Sequence, residues 1–430
     1  MSAAVGSNPS VPWWKEPTKE QWLAWWAAWA GWTLDSFDFT IFLLIMLPIS
    51  QEFHVPLTAV TAVFAITLWL RLVGATASGW LADRVGRKIP LMISILWYSI
   101  CNFIAGFSPT FAFLFFFRAL LGIGMGAEWP AGASLAMESW PARSRGMMSS
   151  ILQGSWALGF LASSAAYGLL YNYIGWRGLL WMGILPALVV VWIRKYIKEP
   201  EVWLENRRQQ RLQNRQVRMP LLAIFKRGVI ANTLTACWWM ASGFTVYYSI
   251  FALFATHLQK DLALSAALVS VPLMLSNAAT FAASFLWGWV ADRFGRRWSM
   301  IIPAIIALVL TPIYLLTNDY VTIAIGFTVQ GLFGGAIYGQ NPSYLSERFP
   351  TEVRATAAGF CYHQGAIFGG FVAPVLTYLA VTYNIGFGIA MLVGTTVGLV
   401  SFIIALLLGP ETKGTVLVGD IGVVAAAEAS

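Results

Sequence analysis

Long apolar stretches alternate with short polar connections along the 430-residue chain. About 20 apolar residues cross the hydrocarbon of a bilayer as a helix, and by that rule the pattern predicts twelve spans. They run over 21–48, 57–80, 90–108, 109–135, 147–172 and 177–195, and after a polar stretch over 229–256, 265–289, 299–317, 320–345, 355–380 and 385–409. The prediction is an all-α membrane protein of two six-helix bundles, 21–195 and 229–409. Segments 1–20, 196–228 and 410–430 are read as an N-terminal cytoplasmic or interfacial segment, a cytoplasmic linker and a cytoplasmic tail. Within the linker, Glu201 to Arg218 is rich in Glu and Arg, which suits an amphipathic surface helix or a disordered strap.

Composition agrees. Hydrophobic residues make up 58% of the chain and charged residues 11%, with a mean hydropathy of +0.68, so a soluble globule of this size would lack polar surface. The net charge of +8 follows a membrane alternation. With the N-terminus placed in the cytoplasm, only Arg177 and Lys260 of the 27 basic residues fall in the opposite loops, and Arg71 and Arg118 sit inside segments. This positive-inside bias puts both termini in the cytoplasm and leaves no basic face for nucleic acid. Cys101, Cys237 and Cys361 all lie in apolar segments without disulfide or zinc spacing. The first apolar run is too long for a signal-peptide core, and the Trp13, Trp14, Trp22, Trp25, Trp26, Trp29 and Trp32 cluster at its start predicts that part of it lies at the interface.

The chain also repeats itself. Gly79-Trp80-Leu81-Ala82-Asp83-Arg84-Val85-Gly86-Arg87-Lys88 shares seven of ten residues with Gly288-Trp289-Val290-Ala291-Asp292-Arg293-Phe294-Gly295-Arg296-Arg297, 209 positions later. Glu138, Pro141 and Arg145 recur at the same offset as Glu347, Pro350 and Arg354. Both halves start on one side and cross an even number of times, so the repeats are parallel, related by an axis along the membrane normal.

These motifs resemble those of the major facilitator superfamily. The decapeptide and its copy are similar to the signature between its helices 2 and 3 and helices 8 and 9. Arg118, Gly122, Gly124 and Gly126 are similar to its helix 4 motif. Within the superfamily, the first half resembles the sialate:proton symporter family of bacterial sialic acid permeases and fungal lactate and pyruvate permeases, through Gly31 to Phe39, Leu70 to Gly74, Gly126-Ala127-Glu128, Glu138 to Pro141 and Gly175-Trp176-Arg177. Met240 to Asp261 departs from the fungal pattern, and the linker has no room for the two extra helices that sialate permeases carry. The resemblance implies a proton-coupled symporter that imports a carboxylate, with a small monocarboxylate such as lactate or pyruvate favoured over sialic acid or another sugar acid. It implies a bacterial inner membrane, no cofactor beyond the proton, and a monomer.

Ionisable residues at membrane depth are costly and mark function. The set is Asp35 and Asp38 in the first span, Arg71 in the second, Arg118 and Glu128 in the fourth and His363 in the eleventh. Three acids face two guanidinium groups, which leaves one carboxylate to carry a proton. Arg71 is the expected ligand of a substrate carboxylate, because its planar fork binds one bidentately. Asp35 and Asp38, three residues apart on a helix, are the expected proton-coupled pair, with Arg118 and Glu128 as an auxiliary network. Gln153, Tyr362, His363 and Gln364 are candidate substrate contacts, and Gln330, Gln340 and Asn341 offer further hydrogen bonds. A conformational latch is expected from Gly79, Asp83, Arg84, Gly86, Arg87, Glu138 and Arg145 with Gly288, Asp292, Arg293, Gly295, Arg296, Glu347 and Arg354. In it Asp83 and Asp292 bind helix ends and basic groups, Arg145 and Arg354 being natural partners, and the two glycines of each decapeptide allow a tight connection. An enzyme is disfavoured: there is no metal-ligand spacing, and Gly122 to Gly126 lacks the preceding strand that a dinucleotide fingerprint needs. A transporter-like receptor is the rival from another class, but the tail after Leu408 is short.

Overall fold

The computed structural model describes residues 12–214, 217, 219–254, 257, 258, 261–264 and 266–417. Lys260, the first eleven residues of the N-terminal segment and the tail from 418 lie outside them. The principal helices are α1 (Lys19–Glu52), α2 (Leu57–Val85), α3 (Lys88–Ala105), α4 (Phe111–Ser139), α5 (Arg145–Trp181), α6 (Pro186–Tyr196) and α7 (Glu201–Leu212). The second half carries α8 (Ile230–Phe251), α9 (Ala266–Phe294), α10 (Trp298–Leu315), α11 (Tyr320–Gly334), α12 (Asn341–Arg348), α13 (Arg354–Thr382) and α14 (Gly386–Leu408).

Local chemistry sets several of these ends. Thr18 opens α1 with a capping box, its hydroxyl accepting from the Gln21 N–H while the Gln21 side chain accepts from the Thr18 N–H. Thr110 caps α4 by one such bond, its hydroxyl accepting from the Phe113 N–H. The fifth and sixth predicted spans run on through α5, which breaks at Gly175 (φ 63°), then through a 3₁₀ turn at Met182–Ile184 into α6. The tenth span is likewise split, α11 and α12 flanking a 3₁₀ turn at Ala336–Tyr338. The tryptophans from Trp22 to Trp32 belong to α1 itself and form no separate interfacial helix. Trp25 is buried, and its indole N–H donates to the Met148 carbonyl of α5 at 3.1 Å, so bundle packing claims it. In the linker, Glu201–Leu212 is the amphipathic helix, with Trp203, Asn206 and Gln210 on its buried side.

Among the described residues, eight helical stretches are long and apolar enough to cross a membrane. The spans carried by α1, the body of α5, α8 and α13 are not among them, and all four contribute to the wall of a central cavity. Among their polar side chains, Gln153 of α5 and His363 of α13 face that chamber. The halves meet along two crossings, α2 on α13 and α5 on α9. These are one interface made twice, since the 209-residue offset carries α2 onto α9 and α5 onto α13.

Candidate functional site

The cavity between the halves encloses about 1040 Å³, its open mouth included. Its wall is largely aromatic, with Trp32, Phe39, Trp156, Phe244, Tyr247, Tyr248, Tyr338 and Tyr362, and its polar positions include Arg71, Gln153, Asn277, Asn341 and His363. Trp129 stacks on Tyr362 at 4.1 Å between ring centroids, and Gln153 donates to the Tyr362 hydroxyl at 3.3 Å. Gln153 and Tyr362 are themselves 209 residues apart, so the repeat axis passes between two side chains that touch.

Arg71 enters the cavity from α2. Its backbone lies hard against Gly126 of α4, where a Cβ would come 2.0 Å from the Arg71 carbonyl oxygen. One nitrogen, Nη2, reaches both oxygens of Asp35 at 3.3 Å, while Nε has no hydrogen-bond partner. The guanidinium sits over the Phe39 ring, 4.6 Å from its centroid, a face-on contact that favours a cation. Asp35 and Asp38 are fully buried but lie behind the cavity wall. Neither oxygen of Asp38 has a hydrogen-bond partner, and Arg118 is the cation that acts on it.

The expected Arg118 and Glu128 network is not formed. Ten residues separate them, roughly 15 Å along a helix. Arg118 donates to Asn102 of α3 at 3.0 Å and lies over the Phe42 ring, whereas Glu128 faces a separate narrow crevice with Trp32 and Gln153. Gln364 also departs from expectation. Its amide donates to the Cys237 and Cys361 carbonyls at 2.7 and 2.9 Å, because one helical step of about 100° past His363 turns it toward α8. Gln340 serves the junction of the halves, donating to the Gly146 carbonyl and Ser150 hydroxyl, and Gln330 is buried away from the cavity. His363 does line the cavity, its Nδ1 held 3.1 Å from the Gly359 carbonyl.

At one face of the molecule the repeated motifs interlock. Asp83 accepts from the N–H groups of Ala355 and Thr356 at 3.1 and 2.9 Å and from the Thr356 hydroxyl at 2.7 Å. Asp292 accepts from the N–H groups of Gly146 and Met147 at 2.8 and 2.9 Å. Each carboxylate thus takes the unpaired donors at the start of a helix in the other half. Arg87 clamps Glu138 with Nε and Nη2 at 3.0 and 2.8 Å and also bonds Asp83. Arg296 clamps Glu347 at 3.2 and 3.1 Å and bonds Asp292. Arg354 crosses to Glu138 at 2.6 Å and Arg145 to Glu347 at 3.2 Å. The acids serving Arg145 and Arg354 are therefore the glutamates, and the aspartates take the helix ends.

Burial disfavours the charge on Arg87, yet Glu138 and Asp83 outweigh it, and its pKa stands above the ordinary guanidinium value. Arg296 is raised in the same way against burial, by Glu347 and Asp292. Gly86 and Gly295 turn the chain at φ 112° and 108°, a region that favours glycine. Gly79 and Gly288 lie within helices rather than in the connection. A Cβ on either would come 2.6 Å from a Cα of the opposite half, that of Thr356 or Met147, so their task is close approach.

The family model for the Major Facilitator Superfamily matches residues 28–272 and 240–419. The chain is a major facilitator superfamily transporter. It is similar to a probable 4-methylmuconolactone transporter of Cupriavidus pinatubonensis, 30% identical over 94% of this chain and 93% of the relative. It is also similar to the sialic acid transporter NanX of Escherichia coli, 26% identical over 94% and 97%. Among solved structures, the proton:xylose symporter XylE bound to 6-bromo-6-deoxy-D-glucose superposes with a TM-score of 0.72 at 17% identity, covering 93% of this chain and 98% of that one. The likeness to XylE places the twelve-helix fold. Membership makes the protein a transporter of small molecules and not an enzyme.

Two residues of the transporter's latch escaped the sequence reading. Glu199 accepts from the N–H groups of Arg87 and Lys88 at 2.7 and 3.0 Å, and Glu411 from those of Arg296 and Arg297 at 2.8 and 3.1 Å. They lie 212 residues apart, three off the register of the other pairs, which hid them. A proline beside each, Pro200 and Pro410, was the available signal. Arg84 and Arg293 take no part in the carboxylate clamps described above; they lie over Trp80 and Trp289, 4.8 and 4.9 Å from the ring centroids. The Cys237 and Cys361 sulfurs, which lack disulfide or zinc spacing in the sequence, meet at 3.7 Å.

Proposed function

We propose that this transporter is a proton-coupled symporter that imports an organic acid across a bacterial inner membrane, working as a monomer with both termini and the latch on the cytoplasmic side. The observation that carries this reading is Arg71, a cation in the cavity wall held by only one of its nitrogens. An arriving carboxylate competes with Asp35 for the guanidinium and offers a better fork geometry. Asp35, once parted from its cation in a water-poor site, is costly as an anion and takes up a proton. Anion and proton then cross together. The closed latch corresponds to the outward-facing state, and alternating access requires its interlocked helix ends to separate.

The aromatic character of the cavity wall favours an acid with a flat or ring-like body over lactate. That choice accords with relatives named for 4-methylmuconolactone and sialic acid. Lactate or pyruvate is the second reading, carried by the Leu70 to Gly74 resemblance to the fungal permeases.

Uptake into proteoliposomes under an imposed pH gradient tests both. Labelled 4-methylmuconolactone, sialate, lactate, pyruvate and acetate are compared, and at least one acid should accumulate faster with the gradient than without it. Arg71→Ala should abolish binding of that acid, while Arg71→Lys should retain weak binding without the fork. Normal binding by Arg71→Ala returns Arg71 to a structural ion pair, and indifference to the gradient removes proton coupling.

A further inference from the structure

Behind the cavity wall, Trp32, Glu128, Trp129 and Gln153 line a narrow crevice. Three buried polar atoms on these side chains have no hydrogen-bond partner: Trp32 Nε1, Gln153 Oε1 and Glu128 Oε2. The residues are 4%, 8% and 2% exposed. One is a donor and one an acceptor, and the third is a carboxylate oxygen whose role depends on its proton. Buried polar groups left unpaired are costly, and three around one crevice with room for about a single water describe a hydration site.

We propose that this crevice is a water site at which Glu128 is protonated and deprotonated, making Glu128 a second proton-binding group beside Asp35. A water has two donors and two acceptor positions. It accepts from the Trp32 indole and donates to the Gln153 carbonyl, which leaves one hydrogen and one lone pair. The hydrogen serves ionised Glu128, and the lone pair serves the acid. The same water therefore satisfies both protonation states while its other two partners stay in place. Asp35 lacks this freedom, because its proton is tied to the position of Arg71.

Trp32 and Gln153 belong to the crevice and to the cavity wall at once, so a substrate pressing on them moves the partners of this water. The groups that act on Glu128 are Asp35 and Asp38 of α1, Arg71 of α2 and Tyr98 of α3. Gly31 of α1 admits the carboxylate, since a Cβ there would come 2.4 Å from Glu128 Oε1.

The inference rests on the symport reading, but its test uses no substrate and can fail while carboxylate transport stands. The full chain is reconstituted in nanodiscs and imaged at a resolution that shows ordered water, and its infrared difference spectrum is followed through a pH titration. The wild type should show density within hydrogen-bond distance of Trp32 Nε1, Gln153 and Glu128, together with a carboxylic C=O band that titrates and is lost in Glu128→Gln. Trp32→Phe removes one partner and should shift that band and weaken the density; Gly31→Ala should displace the carboxylate and shift the band in a second way. A dry crevice, a titrating band that survives Glu128→Gln, or a band unmoved by both Trp32→Phe and Gly31→Ala overturns the proposal.

Discussion

The latch and the cavity wall were built from the same duplicated unit, yet one kept its symmetry and the other lost it. Asp83, Arg87, Glu138 and Arg145 have counterparts in Asp292, Arg296, Glu347 and Arg354, joined by matching contacts on both sides. In the cavity region, among the described residues, the acids and guanidinium groups come from the first half alone. His363 is the second half's ionisable contribution to the polar wall, and Gln153 faces Tyr362 across the axis. A moving junction gains from two equal contacts that open together, whereas a site for one asymmetric ligand requires unlike walls. On the proposed reading, symmetry here marks mechanics and its loss marks recognition.

The latch should therefore respond equally to injury in either copy. Arg87→Gln and Arg296→Gln each strip a buried glutamate of its bidentate partner, leaving Glu138 to Arg354 or Glu347 to Arg145. Breaking a buried pair in this manner costs roughly 3–5 kcal/mol. Thermal unfolding in detergent should show the two losses matched to within about 1.4 kcal/mol, a factor of ten. A larger gap breaks the equivalence and makes one copy the dominant strut.

The cavity should respond unequally to paired changes. Asp35→Asn frees Arg71 from its resident acid and should tighten carboxylate binding about tenfold, the scale of one charged hydrogen bond, while exchange persists and acceleration by a pH gradient is lost. Asp38→Asn, at a residue on which Arg118 rather than Arg71 is the acting cation, should leave affinity unchanged. Equilibrium binding with the acid identified by uptake checks both. Equal affinities in the two variants would detach Arg71 from the substrate.

A smaller effect sharpens the mechanical side. Asp83→Ala and Asp292→Ala remove a cap from a helix in the opposite half, a loss of about 1 kcal/mol, or roughly a fivefold shift in the balance of latch states. Spin-label distances across the α2 and α13 crossing and the α5 and α9 crossing should show similar shifts toward separation. Movement in one variant alone would mean that the crossings open in sequence.

The twelve spans were legible because length and hydropathy decide what crosses a bilayer, and the latch because both copies share one register. Their partners were not legible. Sequence spacing places Asp83 near Arg87 across the Gly86 turn, but the N–H groups of Ala355 and Thr356 reach it only through the packing of α2 on α13. Gln364 was misplaced because neighbouring helical positions point about 100° apart, and nothing in Tyr362-His363-Gln364 says which one faces the axis. Arg118 and Glu128 were joined for being charges on one helix, although each answers to a different neighbour: Asn102 for the first, and Trp32 and Gln153 beside the second. The aromatic wall escaped because tryptophan and phenylalanine in an apolar span are equally at home against lipid.

The smallest expected effect concerns Arg84 and Arg293, which repeat with the latch motif and yet lie over exposed Trp80 and Trp289. Repetition alone would assign them to the gate. The ring contacts are worth about 0.5–1 kcal/mol at an exposed site, and each arginine also adds to the positive charge that fixes orientation. Arg84→Gln and Arg293→Gln should leave the spin-label distances within error of wild type, and Arg293→Gln should lower stability by less than about 1 kcal/mol. Their cost should fall on topology, read as a larger fraction of inverted molecules when the chain is inserted into membranes. If Arg84→Gln instead shifts the latch as far as Asp83→Ala does, the arginines belong to the moving contact, and the symmetry of the latch extends to its lipid-facing rim.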